Sequence, residues 1–363
     1  MTRSAQATPS VAQRRATLAD VAHLAGVSRS VAGHVLNGGS GNSRVSPATA
    51  NRVREAARNL DYRPNIAART LRGMRSHSYG VLVASAGDPL RSFLVQYLDA
   101  EAIQHSCQVL IGNTLCDAKG FERCAEQFAR RGVDGVFCAV HHWFEGDRAG
   151  LMTRFPAVVF YEDPGVAGAP HVLVDREQGE RLAVRHLVGR GRKRIGLAVG
   201  SSARPSHRAR REGYLKEIRD HGLPADERLI FDGERCGAIF AAYNEGAKAW
   251  VFPFEVMDLV VDRLVVDRKA DAIVAHNDFW ASALIKRIGA RGLRVPEDVA
   301  VVGYLNHYLA DWTDPALTTL DLRHDEAARC MVSMLERIIA EGALPEEERV
   351  VWIQPRLVVR ESA

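Results

Sequence analysis

Short apolar runs alternate with amphipathic stretches from Tyr79 onward, and this alternation constrains the fold more than any other feature of the sequence. The amphipathic stretches include residues 121–131 and 178–188. Short buried strands separated by helices are typical of a doubly wound parallel α/β fold. The apolar runs are residues 79–84, 109–112, 135–140, 157–161, 195–200, 272–275 and 299–304. Because the segment is too long for one such unit, we expect two lobes.

The composition is that of an ordinary globular protein and excludes several other classes. The 363 residues are 47% hydrophobic and 25% charged, unlike a disordered or fibrous chain. No run of about 18 apolar residues could span a membrane, and we see no apolar segment of a secretory signal near the N-terminus. Six cysteines without a C-x-x-C spacing are expected to be reduced thiols. We therefore expect a cytoplasmic protein.

Positive charge is concentrated near the N-terminus. Residues 1–80 hold twelve arginines, no lysine and three acidic residues, a balance of +9, whereas the whole chain carries +4. A basic N-terminal fifth on a mildly acidic body indicates an arm that binds nucleic acid. A solvated, arginine-rich helical surface would give the same count. Charge alone leaves both interpretations open.

Two short helices joined by a glycine turn are predicted after a polar tail, residues 1–16, that we expect to be disordered. Thr17 and Asp20 have the spacing of a capping box, which starts the first helix. Gly26 ends it after two turns, since glycine readily takes a positive φ. Ser28 can cap a second helix at once, and this arrangement is a helix-turn-helix signature.

The second helix is predicted to run to about Leu36 with Val31 and Val35 facing inward. A third helix starts with Ser46 as N-cap and Pro47 in the first position, where its missing N–H costs nothing. Its predicted buried stripe is Val53, Ala57 and Leu60, and its predicted outer face is Arg52, Arg54 and Arg58.

These segments resemble the DNA-binding headpiece of the lac repressor/galactose repressor (LacI/GalR) family in order and spacing. The resemblance is carried by residues 17–22, 25–28, 35–37, 45–46 and 60–65, together with Ala67, Ala68 and Leu71. It implies a helix-turn-helix headpiece over residues 17–62 and a hinge helix with its linker over residues 63–77. The helical part of that hinge is too short to be stable alone in water.

The resemblance implies that the second helix lies in the DNA major groove, with Arg29 and Ser30 facing base edges. An arginine bonded to guanine by two hydrogen bonds contributes about 1–3 kcal/mol of discrimination. Leu71 matches the leucine that family members wedge into a base step of the minor groove, although an ordinary core leucine is the alternative. The implied DNA-binding residues are Thr17, Ser28, Arg29, Ser30, His34, Asn37, Asn65, Ala68 and Leu71.

Two departures from the family pattern affect DNA recognition. Gly33 and His34 stand where the family usually has serine and arginine. A glycine inside a helix costs about 0.8–1 kcal/mol in helix propensity. The loop of residues 38–43 is also longer than usual. The resemblance therefore implies that the second helix lies in the major groove, but it does not imply a particular operator sequence.

The resemblance continues through the rest of the chain and implies a periplasmic-binding-protein-like core, two lobes joined by three crossovers. It is carried by residues 171–175, 194–196, 275–278, 292–299, 302–304, 317–319 and 355–362. The expected N-terminal lobe is residues 78–178 and 324–351, and the expected C-terminal lobe is residues 179–323 and 352–363. No heptad helix follows the last strand, so we expect a homodimer on a near-palindromic double-stranded DNA operator.

Family positions in the cleft between the lobes give the candidate effector contacts. Asp175 and Asn277 could instead be caps of the helices that follow them. Leu305 stands where the family typically has an aspartate that binds a sugar hydroxyl, and leucine accepts no hydrogen bond. We therefore expect a small-molecule effector other than a simple hexose. The candidates are Asp175, Arg208, Asn277, Tyr304 and Leu305.

Motifs of common enzyme classes do not occur in the sequence. There is no G-x-x-x-x-G-K-[ST], G-x-S-x-G or H-E-x-x-H, and Arg194 stands where a dinucleotide loop beginning at Gly189 would need its third glycine. The adjacent pair His141 and His142 points two ways on regular structure, which argues against a shared metal. We expect no catalytic residues, no cofactor and no metal.

The sequence thus predicts a ligand-responsive, sequence-specific transcriptional regulator, most often a repressor in this family. Effector binding between the lobes would control hinge-helix folding and operator affinity, with the sign of the response left open. The alternative is a small-molecule-binding or sugar-processing α/β protein with a basic N-terminal arm.

Overall fold

The computed structural model describes residues 16–36, 45–62, 75–85, 87–115, 117–140, 147–200, 205–233 and 254–363. The chain divides into two compact units, Met1–Ser76 and His77–Ala363, which we call the headpiece and the core. Within the described residues, every helix is too short or too polar to cross a membrane.

Local capping sets the three helices of the headpiece, as predicted. Thr17 Oγ1 accepts from Asp20 N at 3.3 Å, and Thr17 N donates to Asp20 Oδ2 at 2.8 Å, which completes the capping box. Ser28 Oγ accepts from Val31 N at 3.2 Å, and Ser46 caps the third helix. The helices are α1 (Leu18–Leu24), α2 (Arg29–Leu36) and α3 (Pro47–Asn59).

Small side chains fill the headpiece core. Its buried members are Val21, Ala22, Ala25, Ala32, Val53, Ala56 and Ala57. The prediction that Val31 faces inward was wrong: Val31 is half-buried, and Ala32 is the fully buried residue of α2. Ser30 and His34 lie on the side of α2 opposite Ala32 and so point away from this core, and Arg29 is exposed at the start of the helix.

The first lobe of the core is a six-stranded sheet in the order β11-β5-β4-β3-β1-β2, with every pairing parallel. Its strands are β1 (Ser78–Val83), β2 (Gln108–Asn113), β3 (Gly135–Ala139), β4 (Val158–Tyr161), β5 (His171–Val174) and β11 (Val350–Ile353). Its helices are α4 (Pro89–Gln104), α5 (Ala118–Arg131), α6 (Arg148–Arg154) and α11 (His324–Glu341).

The second lobe repeats this order as β12-β10-β9-β8-β6-β7, with only β12 antiparallel to its neighbour. Its strands are β6 (Ile195–Val199), β7 (Ile230–Asp232), β8 (Ala272–Val274), β9 (Ala300–Tyr304), β10 (Thr318–Asp321) and β12 (Arg356–Val358). Its helices are α7 (Arg176–Gly189), α8 (Pro205–Asp220), α9 (Phe254–Val260), which continues as a π-helix (Val261–Asp267), and α10 (Asp278–Gly289). Short 3-10 turns lie at Glu227–Leu229, Tyr308–Asp311 and Glu346–Glu348.

The chain passes between the two sheets three times, from β5 to α7, from β10 to α11, and from β11 to β12. One buried hydrophobic cluster contains residues of both lobes, for example Val174 and Leu305. The predicted doubly wound two-lobed fold is confirmed. The lobe limits predicted from the sequence lie within a few residues of these crossings. The exact limits stay predictions.

Candidate functional site

The polar face of α2 is the first candidate site. Ser28, Arg29 and Ser30 are exposed at the start of the helix, and His34 is half-buried one turn later. Ser30 and His34 lie one helical turn apart on the face opposite Ala32, and Arg29 and Gly33 flank that face. In helix-turn-helix proteins the first residues of this second helix contact base edges in the major groove.

The other predicted DNA contacts fall in two groups. Thr17 lies in the headpiece with its side chain engaged in the capping box of α1. Asn37, Asn65, Ala68 and Leu71 lie outside the described residues, as do the loop of residues 38–43 and most of the predicted hinge. The pair His141 and His142 lies outside them as well.

The carboxyl ends of β6, β8 and β9 lie at the same edge of the second sheet, and a buried arginine of α8 is fixed there. Arg210 is 1% exposed. Its Nε donates to Glu180 Oε2 at 2.7 Å, and its two Nη atoms donate to the carbonyl oxygens of Ala275 and His276, each at 2.8 Å. Its guanidinium lies 3.9 Å from the ring centre of Tyr304. All three nitrogen atoms of this guanidinium therefore donate a hydrogen bond, and the group also contacts an aromatic ring.

Burial dominates the electrostatics of this edge. It raises the pKa of the Glu180 carboxyl, and the Arg210 guanidinium opposes the rise. It also raises the pKa of Tyr304, against the fields of Arg176 and Arg210. The Glu180 carboxylate thus pairs with the Arg210 guanidinium, and the net charge of the pair is close to zero.

The structure places Arg208, the predicted effector contact of α8, on an exposed part of the helix. Arg210 occupies the buried side instead, in line with His207 and Tyr214 at helical spacing. Gly213 lies where a Cβ would come within 2.3 Å of the Glu177 carbonyl oxygen, so α7 and α8 touch along this face. The periodicity of α8 was the signal that identifies Arg210, and the sequence reasoning missed it.

Asp175 and Asn277 both act as helix caps. Asp175 Oδ1 accepts from Gln178 N at 2.9 Å, and its Oδ2 lies 3.4 Å from Gln354 Nε2. Asn277 Oδ1 accepts from Trp280 N at 3.0 Å. The capping alternative is therefore present at both positions, and contact with an effector stays a prediction for each.

A sharp turn after β9 places Leu305 in the core at 2% exposure, with its N–H bonded to the Leu320 carbonyl at 2.7 Å. Asn306 follows in the left-handed region with φ 54°. The carboxylate beside this turn is Asp278, which accepts from His307 N at 2.7 Å and from Thr319 Oγ1 at 2.5 Å. Burial raises the Asp278 pKa to about 6.

The carboxyl edge of the first sheet carries two buried arginines on one carboxylate. Glu162 directly follows β4, and Arg176 begins α7 after β5. Arg176 Nη2 lies 2.6 Å from Glu162 Oε1, and Arg91 Nη2 lies 3.4 Å from Glu162 Oε2. The side chains are 8%, 0% and 12% exposed for Arg176, Arg91 and Glu162. None of the three was predicted from the sequence.

Two uncharged polar side chains complete this cluster. The Arg91 guanidinium lies 5.0 Å from the ring centre of Tyr161, and the His324 ring lies 6.1 Å from that of Tyr161. Burial, with Arg176 and Arg91, lowers the His324 pKa to about 3, so this histidine is neutral at pH 7. Burial raises the Tyr161 pKa to about 12.

A third arginine, Arg148, begins α6 after β3 and is 8% exposed. Burial lowers its pKa. Burial also raises the pKa of Cys138 to about 11, while both Arg148 and Arg91 act in the opposite direction. Arg148 and Arg91 therefore lie close enough to Cys138 for both to act on its pKa. Among the described residues, no group of three or more His, Cys, Asp or Glu could hold a metal.

Aromatic contacts bring the two edges together. The Phe93 ring of α4 lies 4.6 Å from the His307 ring of the second lobe and 6.4 Å from that of Tyr308. Phe279 of α10 lies 4.9 Å from His307. The charged edge of the first sheet and the paired edge of the second therefore border one interlobe region, where open α/β sheets bind ligands.

Comparison with known proteins covers the chain from residue 17 to its last residue. Residues 17–65 match the family model of bacterial regulatory proteins, lacI family. Residues 76–241 match periplasmic binding proteins and sugar binding domain of LacI family, and residues 184–363 match a periplasmic binding protein-like domain.

Individual relatives agree with these matches. The HTH-type transcriptional repressor PurR of Pasteurella multocida (strain Pm70) is 28% identical over 351 residues, 96% of this chain and 98% of that protein. The ribose operon repressor of Escherichia coli (strain K12) is also 28% identical, over 96% of this chain and all of that repressor.

Two solved structures share the fold over 96% of this chain. A lac repressor dimer bound to operator and the anti-inducer ONPF, 99% of it covered, has a TM-score of 0.75 at 23% identity. A complex of the transcriptional regulator CelR with cellobiose, wholly covered, has a TM-score of 0.65 at 25% identity. A lacI-type headpiece followed by a periplasmic-binding-protein-like core makes this chain a member of the LacI family of bacterial regulatory proteins.

Proposed function

We propose that the protein is a ligand-responsive transcriptional repressor that acts as a homodimer on a near-palindromic operator. The observation that carries the proposal is the exposed polar start of α2 on a capped three-helix unit. A two-fold dimer presents two such helices to two half-sites related by the same symmetry. The PurR and ribose operon relatives are repressors, and the lac repressor of similar fold is a dimer on its operator.

The proposed mechanism is linkage between operator and effector. An effector bound between the lobes favours one lobe arrangement, and that arrangement changes how residues 63–77 of the two subunits fold together on DNA. Each ligand then alters the affinity for the other by the same factor. We propose no catalytic role, and we place the protein in the cytoplasm, where chromosomal DNA is accessible.

Selection of genomic fragments by the purified full-length protein tests DNA recognition. We expect retained fragments to share a near-palindromic site, with affinity that falls steeply as salt rises because phosphate contacts release counterions. Arg29→Ala is expected to lower affinity by roughly 5- to 150-fold, the equivalent of about 1–3 kcal/mol. Arg228→Ala, at an exposed arginine of the core, is the matched control and should bind normally.

Deletion of residues 1–77 separates the repressor from a small-molecule-binding or sugar-processing protein with a basic arm. The repressor loses DNA binding on deletion and keeps ligand binding in the core. A protein of the alternative class selects no DNA site before or after the deletion, and its affinity for DNA does not depend on Arg29. That result would remove the proposed function.

A further inference from the structure

We propose that the first lobe binds a second copy of this chain through the groove between α4 and the edge strand β2, which we call the β2 groove. The inference rests on the proposed function, since it names the surface through which the homodimer forms. The groove has a volume of about 420 Å³, and its lining includes Val83, Val95, Asp99, Val109 and Ile111.

Apolar side chains are exposed along the β2 groove. Ile111, within β2, is 56% exposed, and Leu115, two residues beyond the strand, is 59% exposed. On α4, Val95 and Asp99 line the groove, and Ile103 extends the same helical face at 60% exposure. Several large apolar side chains exposed together mark an interaction site.

The position of β2 in the sheet explains this exposure. Among the described residues, β2 pairs only with β1, at the end of the sheet. Helix α5 covers one face of the strand, since a Cβ at Gly112 would lie 3.0 Å from the Cβ of Cys124. On the opposite face Val109 is half-buried and Ile111 is exposed, so α4 covers that face only in part.

The charges around the two edge strands of this sheet differ. Edge strands of native proteins are commonly protected from other chains by charged side chains. The opposite edge strand, β11, exposes Trp352 at 59%, but three glutamates and Arg349 directly precede it. The segment of residues 107–115, which contains β2, has no charged residue. Of the two edges, β2 is therefore the one open to association.

The chemistry of the β2 groove suits a second copy of the chain. A two-fold contact places the same patch of both subunits against itself. A strongly charged patch would repel its own image, whereas Asp99 is the one charged residue among those that line the groove. The exposed apolar side chains can meet their own image and leave water together.

The start of the core gives an independent reason for a two-fold pair at this edge. β1 begins at Ser78, and Ser78 pairs with Gln108 at the start of β2. A two-fold axis beside β2 and parallel to the strands brings the starts of both β1 strands to the same end of the dimer. Strand spacings of about 5 Å and a packing distance of about 10 Å separate these starts by roughly 20 Å. The segments of residues 63–77 in the two subunits then end side by side, as their proposed folding together on DNA requires.

Ile111→Asp tests the β2 groove in the full-length protein. The new carboxylate lies in an apolar contact and faces the same charge of the second copy. We expect the parent to be a dimer at micromolar concentration and the dissociation constant of the variant to be roughly 100-fold higher or more, as measured by sedimentation equilibrium. Because Ile111 is exposed in the single chain, circular dichroism should show that the dissociated variant is folded.

A second variant and a matched control keep this test specific. Gln96 is an exposed residue of the groove on α4, and Gln96→Glu adds a charge without changing the shape of the side chain. We expect it to weaken the dimer in the same direction. Trp352→Asp places the same carboxylate on the opposite edge strand and should leave the dimer intact.

Three results would overturn the proposal. One is a parent that stays monomeric at micromolar concentration, and another is a dimer that neither Ile111→Asp nor Gln96→Glu weakens. The third is equal weakening of the dimer by Ile111→Asp and Trp352→Asp, which would show that the β2 groove has no special role.

The two proposals fail in different ways. A protein that selects a palindromic DNA site and stays dimeric as Ile111→Asp is a repressor that dimerises through another surface. A protein whose dimer is broken by Ile111→Asp but that selects no DNA site has this interface without the proposed function.

Discussion

The two sheets of the core share one strand order and differ in direction only at β12, yet their carboxyl edges are built differently. At the second edge Arg210 meets a carboxylate, two carbonyl oxygens and an aromatic ring. At the first edge Arg91 and Arg176 both contact the carboxylate of Glu162. The same fold therefore supplies one edge where a carboxylate meets one arginine and one where two arginines meet the same carboxylate.

The largest effect is expected from the fully paired edge. Arg210→Ala leaves the Glu180 carboxylate buried without its guanidinium, which we expect to lower the free energy of unfolding by about 4 kcal/mol. Arg208→Ala, on the exposed part of the same helix, should change it by less than about 0.5 kcal/mol. Urea denaturation of both variants measures the difference, and equal losses would mean that Arg210 is not held as described.

Asp278 gives the second edge a defined pH dependence. Its pKa is about 6 in the folded core and 3.8 as an ordinary aspartate, so the folded state binds more protons between these values. Its contribution is therefore present at low pH and is lost as pH rises through about 6, a change of about 3 kcal/mol. His324 acts in the opposite sense, because its lowered pKa favours folding as pH rises.

Asp278→Asn isolates the first of these two opposing effects. We expect the stability of the parent minus that of the variant to fall by about 2 kcal/mol between pH 4 and pH 6.5. Urea denaturation across this range provides the measurement. A constant difference would show that Asp278 titrates as an ordinary carboxyl group despite its burial.

Removing the shared carboxylate tests the first edge. Glu162→Gln takes away the charge that Arg91 and Arg176 both contact, and we expect the free energy of unfolding to fall by about 2 kcal/mol. Glu180→Gln at the other edge is the comparison, and we expect a larger loss there because Glu180 is 0% exposed and Glu162 is 12% exposed. Urea denaturation of both variants measures the two losses. Equal behaviour of the two variants would remove the contrast between the edges.

The smallest effect is expected where the chain leaves the first edge. Asp175→Ala removes the cap of α7 and should cost about 1 kcal/mol, whereas Asp175→Asn keeps a capping oxygen and should cost much less. If Asp175 is a cap alone, the Asn variant responds to its effector as the parent does. A lost response at unchanged stability would instead support the predicted effector contact.

Local features of the sequence predicted the headpiece and the longer elements of the core well. The Thr17 and Ser46 caps, the exposed start of α2 and the long apolar strands depend on neighbours a few residues apart. The strands β7 and β12 are three residues long, too short for any periodicity to be recognised. Among the predicted effector residues, Asp175 and Asn277 were correctly seen as possible caps for the same local reason.

By itself the sequence determined the class of fold, the capped helix-turn-helix unit and the concentration of arginine near the N-terminus, since all three follow from nearest neighbours and composition. Only the tertiary structure decided which arginines meet which carboxylates. Arg91 and Glu162 belong to different strand–helix units, as do Arg210 and Ala275. Their contacts exist because parallel strands bring distant carboxyl ends to one edge, a consequence of strand order that spacing along the chain does not record.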